Sequence, residues 1–97
     1  MIQVVFSVRA NKEIFESFLY YDTRQTGLGD KFLNELTKKV DQIKSSPGRC
    51  TSNRLPFREC QMKKFPFFII YRYNPEKKYI FISSVFHSSR NPNKKYR

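Results

Sequence analysis

Two dense apolar runs, FPFFIIYRY from Phe65 to Tyr73 and KYIFISSVFHSSR from Lys78 to Arg90, constrain the fold of this chain more than any other feature. Both are rich in aromatic and β-branched residues, and the turn formers between them, Asn74-Pro75-Glu76-Lys77, place Pro at the second position of a type I turn. The pattern predicts a buried β-hairpin. Phe67 through Tyr71 is apolar at consecutive positions, as in a central strand buried on both faces. The second strand releases a polar, basic tail containing His87, Ser88, Ser89, Arg90, Asn91, Lys94, Lys95, Tyr96 and Arg97. That exit is a natural place for contact with a target.

Upstream, Ile2, Val4, Phe6 and Val8 alternate with Gln3, Val5, Ser7 and Arg9, the period of a strand with one face buried. Asn11 is then expected to cap a helix to about Arg24, with Ile14, Phe15, Phe18 and Leu19 on one face. Thr26-Gly27-Leu28-Gly29-Asp30 breaks the pattern. Leu33, Leu36, Val40 and Ile43 next recur at helical spacing, with Lys38, Lys39, Asp41 and Lys44 opposite, until Ser45-Ser46-Pro47-Gly48 ends the run. A basic loop with Arg49 and Arg54 follows. A more polar strand then alternates Arg58, Cys60 and Met62 with Glu59, Gln61 and Lys63.

The order β-α-α-β-β-β implies a two-layer α+β domain over residues 1–97, with an N-terminal helical hairpin packed on a small antiparallel sheet. Helices on one side leave the other sheet face uncovered. Because the hairpin strands are apolar on both faces, that face calls for a binding partner.

At 97 residues the chain fits one core, and 39% apolar residues, including ten Phe and six Tyr, supply enough area to fill it. Nineteen Lys and Arg against eight Asp and Glu leave a net charge of +11, which suits a polyanionic or acidic partner. Cys50 and Cys60 stand ten apart outside any metal-ligand spacing, and there is one His, so no metal or other cofactor is expected. No secretory leader precedes the first strand and no apolar run is long enough for a membrane span. The expectation is therefore a cytoplasmic protein with no membrane association and both cysteines reduced.

Four segments in this order resemble the RelE/ParE superfamily of bacterial type II toxin–antitoxin toxins, in the ParE-like, plasmid-stabilisation branch. They are YYDTRQTGLGDKFLNEL from Tyr20 to Leu36, Ser46-Pro47, FPFFIIY from Phe65 to Tyr71, and SVFHSSRNP from Ser84 to Pro92. The resemblance implies a growth-arresting toxin neutralised by a cognate acidic antitoxin whose segment folds across it. It also implies one of two modes of action. One is a non-enzymatic poison of DNA gyrase. The alternative is a metal-independent endonuclease that cuts mRNA on the ribosome.

Metal-free RNA cleavage needs a base for the 2′-hydroxyl, cations for the phosphate and an acid for the leaving oxygen. Lys63, His87, Arg90 and Tyr96 are the candidates, and the six-residue spacing of Arg90 and Tyr96 is similar to that of the terminal arginine and tyrosine in RelE-type nucleases. Against this, Phe68 stands where such nucleases carry a third-strand arginine, and Glu59 and Gln61 lie near the second-strand lysine positions. The gyrase reading needs no catalytic set. On that reading Arg49, Arg54, Arg58, Arg90, Lys94 and Lys95 form the target surface, and Phe67, Phe68, Arg72 and Phe86 contact the antitoxin. Ordinary structural roles are the first expectation for several of these. A His ending a core strand hydrogen-bonds a carbonyl, Arg90 pairs with Glu59 or Asp22, and the lysines form a solvated tail.

Overall fold

The computed structural model describes residues 2–50 and 56–88. Strand β1 (Gln3–Phe6) leads into helices α1 (Val8–Arg24) and α2 (Leu28–Ser45), followed by strands β2 (Arg58–Gln61), β3 (Phe67–Asn74) and β4 (Tyr79–His87). The sheet order is β1-β4-β3-β2. The two-layer α+β architecture stands, with one departure: β1 runs parallel to β4, so the sheet is mixed and not wholly antiparallel. Alternation in sequence specifies which side chains share a face, and it carries no information on strand direction.

Strand β1 ends at Phe6, two residues before the alternation does, because Ser7 and not Asn11 caps α1. Ser7 Oγ accepts from the Ala10 amide at 2.9 Å and donates to the Ser83 carbonyl at 2.8 Å. One hydroxyl thus starts the helix and fastens it to β4. Helix α1 then buries Ala10 and Glu13, while Phe15 and Leu19, expected beside Ile14 and Phe18, are 63% and 45% exposed. On a 3.6-residue period Phe15 and Leu19 are displaced toward solvent from the inward positions 10, 13, 14 and 17.

Helix α2 begins at Leu28, so Gly29 and Asp30 belong to it and not to the break. Gly27 takes the left-handed conformation (φ 88°) that a residue without Cβ adopts most readily. Gly29 is fully packed: a Cβ there would meet Phe18 Cδ1 at 2.7 Å and the Phe18 carbonyl oxygen at 2.9 Å. Asp22 Oδ1 accepts from the Gly27 and Gly29 amides at 3.0 and 3.3 Å, pinning the reversal. Helix α2 presents Phe32, Leu36, Val40 and Ile43 to the sheet; Phe32 is fully buried and Leu33 only partly so.

These side chains meet Cys60, Met62, Phe67, Ile69, Tyr71, Ile80, Ile82 and Val85 in one core. An aromatic group joins the layers, with Tyr21 edge-on to Phe65 at 4.9 Å and Phe32 beside Phe67 at 5.2 Å between ring centres. In the hairpin turn Asn74 Oδ1 accepts from the Lys77 amide at 3.1 Å. A bulge between Ile70 and Tyr71 leaves Ser83 unmatched on β4, and Ser83 Oγ donates to the Ile70 carbonyl at 3.2 Å.

The reduced-cysteine expectation is corrected: Cys50 and Cys60 form a disulfide, with Cα atoms 5.4 Å apart. Spacing in sequence did not show that the chain leaving α2 returns beside β2 and brings the two residues together. No helix among the described residues is long and apolar enough to cross a membrane.

Candidate functional site

Because side chains alternate along a strand, the residues between the core positions of β3 project from the opposite face of the sheet. Phe68, Ile70, Arg72 and Asn74 form that row. At the end near the hairpin turn the outer face is aromatic and basic. The Arg72 guanidinium lies over Phe81 at 5.2 Å and over Phe57 at 5.6 Å, and Phe81 stacks beside Tyr79, with ring centres 6.4 Å apart and planes inclined by 21°. A shallow cavity of about 290 Å³ lined by Pro56, Arg72, Tyr73, Asn74, Tyr79 and Phe81 opens there. Cation–π contact holds the exposed Arg72 against apolar rings and keeps its charge at the surface.

At the other end of the same face, strand register aligns Gln61 with Phe68 and Phe68 with Phe86. The next row aligns Glu59 with Ile70 and Ile70 with Ser84. Neither row contains a cation. His87 pairs with Phe67, and its ring stands edge-on to the Phe67 ring at 5.0 Å, so it belongs to the helix side of the sheet. Lys63 follows β2 and lines a groove with Lys38, Lys39 and Gln42 of α2, also away from the outer face. Arg90 and Tyr96 lie outside the described residues. The described half of the nuclease set, Lys63 and His87, is therefore not gathered with the outer-face rows.

The basic residues expected to meet a target divide likewise. Arg49 is exposed. Arg58 is turned to a structural task, with Nη1 donating to the Cys50 carbonyl at 2.8 Å and to the Gly48 carbonyl at 3.5 Å. Arg54, Lys94 and Lys95 lie outside the described residues. Asp22, a suggested partner for Arg90, is engaged with the Gly27 and Gly29 amides.

Among the residues assigned to antitoxin contact, Arg72 is exposed and Phe68 half-buried on the outer face. Phe67 is corrected: it belongs to the helix-side core and is 4% exposed, because the strand alternation turns it inward. Phe86 is also corrected, being 1% exposed although its register places it with Phe68. The Arg72, Phe81, Tyr79 and Phe57 group went unread in the sequence. The i, i+2 spacing of Tyr79 and Phe81 was the available signal, since residues two apart on a strand share a face.

The buried Tyr71 hydroxyl donates to the Pro47 carbonyl at 2.6 Å. Burial raises its pKa above the ordinary tyrosine value, opposed by Arg58, the Cys50 backbone and Arg49. Tyr21 is raised too, by burial first and by neighbouring Tyr20 second. Among the described residues no group of three or more His, Cys, Asp or Glu converges as a metal site.

The family model described as ParE toxin of type II toxin–antitoxin system, parDE, matches residues 4–92. A sequence comparison with curated proteins gives no match. The fold is similar to that of a chain from the chromosomal ParDE system of P. aeruginosa, with a TM-score of 0.76 and 14% identity over 90% of this chain and 96% of the other. It is also similar to the isolated E. coli RelE toxin (TM-score 0.69, 22% identity, 96% of this chain and 90% of the other). A chain of the intact E. coli RelBE complex gives a TM-score of 0.71 and 22% identity over 93% of this chain and 100% of the other.

Proposed function

The chain belongs to the ParE toxin family of type II toxin–antitoxin systems, and on that premise we propose that it arrests growth by binding and poisoning DNA gyrase, without cutting RNA. A cognate acidic antitoxin neutralises it by lying across the outer sheet face, where Phe68 and Arg72 meet it.

The observation that supports a non-enzymatic mode is the composition of the outer-face rows. Gln61, Phe68 and Phe86 occupy one, and Glu59, Ile70 and Ser84 the next, with Phe86, Ile70 and Ser84 buried, so the positions open to a ligand there are Gln61, Phe68 and Glu59. A metal-free phosphodiesterase depends on fixed positive charge around the reacting phosphate, since electrostatic stabilisation is the largest part of such catalysis. Glutamine, phenylalanine and glutamate do not provide it. A protein that traps its target needs shape, apolar contact and complementary charge instead, and the platform of Arg72, Phe81, Tyr79 and Phe57 offers all three.

An antitoxin segment that folds on binding must recover the entropy of ordering through apolar contact and opposite charge. The outer face supplies rings, and the net charge of +11 supplies the field. Neighbouring folds from ParDE and RelBE toxin–antitoxin systems support such a partner.

The test adds purified chain to gyrase, ATP and relaxed plasmid, and in parallel to translating ribosomes carrying a labelled mRNA. Loss of supercoiling with linear DNA released by detergent and protease, and intact mRNA, is expected. Discrete mRNA cuts with normal supercoiling would overturn the reading in favour of the nuclease.

A further inference from the structure

Helix α2 and the turn after β2 enclose a groove of about 210 Å³ whose walls are Glu35, Lys38, Lys39, Gln42, Lys63 and Lys64. We propose that this groove binds the sugar-phosphate backbone of duplex DNA. The inference does not depend on which enzyme or particle the toxin attacks.

Residues 35, 38, 39 and 42 share one helix face, since they recur at intervals of three and four. The chain leaving β2 brings Lys63 and Lys64 opposite them. Four lysines and one carboxylate therefore face a single cavity, for a local charge of +3 (4 − 1). Glu35 Oε1 pairs with Lys64 Nζ at 3.5 Å and, being 20% exposed, anchors that lysine to the helix. Lys38, Lys39 and Lys63 pair with no carboxylate among the described residues and present their charge to the groove. Like charges held this close repel one another, and an anionic ligand relieves the repulsion.

The chemistry of the walls selects phosphate over an acidic peptide. No apolar or aromatic side chain lines the groove, so a disordered acidic segment would find nothing to offset its loss of entropy. A DNA backbone is already ordered and gains from released counterions. Lysine acts as a mobile point charge, so the four lysines of the groove can follow successive phosphates without a fixed bidentate geometry. Gln42 adds an amide donor for a phosphate oxygen. The contacts are to backbone only, so sequence preference is absent.

The experiment measures fluorescence anisotropy of a labelled 20-base-pair duplex with the full chain between 50 and 200 mM salt. Three neutralised phosphates give a slope of log K against log salt of about −2.7, equivalent to about a 40-fold loss over that range. The variant Lys38→Gln/Lys63→Gln is expected to reduce the magnitude of the measured slope by about 2. Lys12→Gln/Lys77→Gln removes the same charge from exposed positions elsewhere and is expected to leave the slope within about 0.5 of the parent. Thermal melting checks that both variants fold. Equal changes in both variants, no change in either, or no binding at 50 mM salt would overturn the proposal. So would displacement of the duplex by polyglutamate as effectively as by unlabelled DNA at equal charge concentration. Because gyrase is absent from this assay, its failure leaves the gyrase reading untouched, and the reverse also holds.

Discussion

Glu13 Oε1 in α1 accepts two hydrogen bonds from one point of β4, from Ser84 Oγ at 2.8 Å and from the Val85 amide at 2.9 Å. Its other oxygen meets Arg9 Nε at 3.3 Å. A carboxylate buried this deeply, at 6% exposure, persists because its lone pairs are occupied. The contact joins residues 71 positions apart and ties the first helix to the strand that ends at His87. Replacement by Ala strands the Ser84 hydroxyl and the Val85 amide and is expected to cost about 2–3 kcal/mol, measured by urea unfolding. Gln, which retains an acceptor oxygen, should cost about 1 kcal/mol. A Glu13→Ala variant as stable as the parent would contradict this account.

The interhelical turn makes a second prediction through its two glycines. Gly29→Ala drives a methyl into the Phe18 ring and carbonyl, and the backbone oxygen at 2.9 Å cannot rotate away. A loss of about 2–3 kcal/mol is expected. At Gly27 nothing lies within 4 Å of an added Cβ, so Ala there costs only the left-handed backbone, about 1–2 kcal/mol. Calorimetric melting of both variants should rank Gly29→Ala as the less stable.

Tyr71 sets an alkaline limit. Its folded-state pKa is raised, with burial as the first cause, so its contribution to stability is complete below the unfolded value near 10. That contribution is lost as pH rises from there through the folded pKa, where the unfolded chain ionises first. Tyr71→Phe loses the bond to the Pro47 carbonyl and about 1 kcal/mol at pH 7, while its stability should decline less between pH 9 and 11. A parallel decline in parent and variant would show that Tyr71 does not carry the effect.

The disulfide gives a fourth. Closing a ten-residue separation is expected to contribute about 3 kcal/mol by restricting the unfolded chain. Unfolded, unreduced protein should show no free thiol, and Cys50→Ser/Cys60→Ser should melt about 12–24 °C lower. Two thiols titrating before reduction would contradict the pairing.

The sequence was most legible where periodicity and burial agree. Phe67 to Tyr71 and Ile80 to Val85 read as core strands because every inward position is apolar, and Leu36, Val40 and Ile43 marked the buried face of α2. What escaped notice depended on contacts distant in sequence. Ser7 outcompeted Asn11 as the cap because its hydroxyl also reaches Ser83, and Cys50 met Cys60 only after the chain had turned beyond α2. Nothing in the helical pattern distinguishes Glu13, because its partners Ser84 and Val85 lie 71 and 72 positions away. The candidate site divided for the same reason: strand alternation sends His87 and Phe67 to one face and Phe68 to the other, a distinction that proximity in sequence conceals.

Pulse labelling of host cells within minutes of inducing this chain tests the central claim most directly, following thymidine and methionine incorporation together. A replication poison without nuclease activity predicts that thymidine incorporation stops first while methionine incorporation continues. Collapse of methionine incorporation first would place the target on the ribosome and contradict the account.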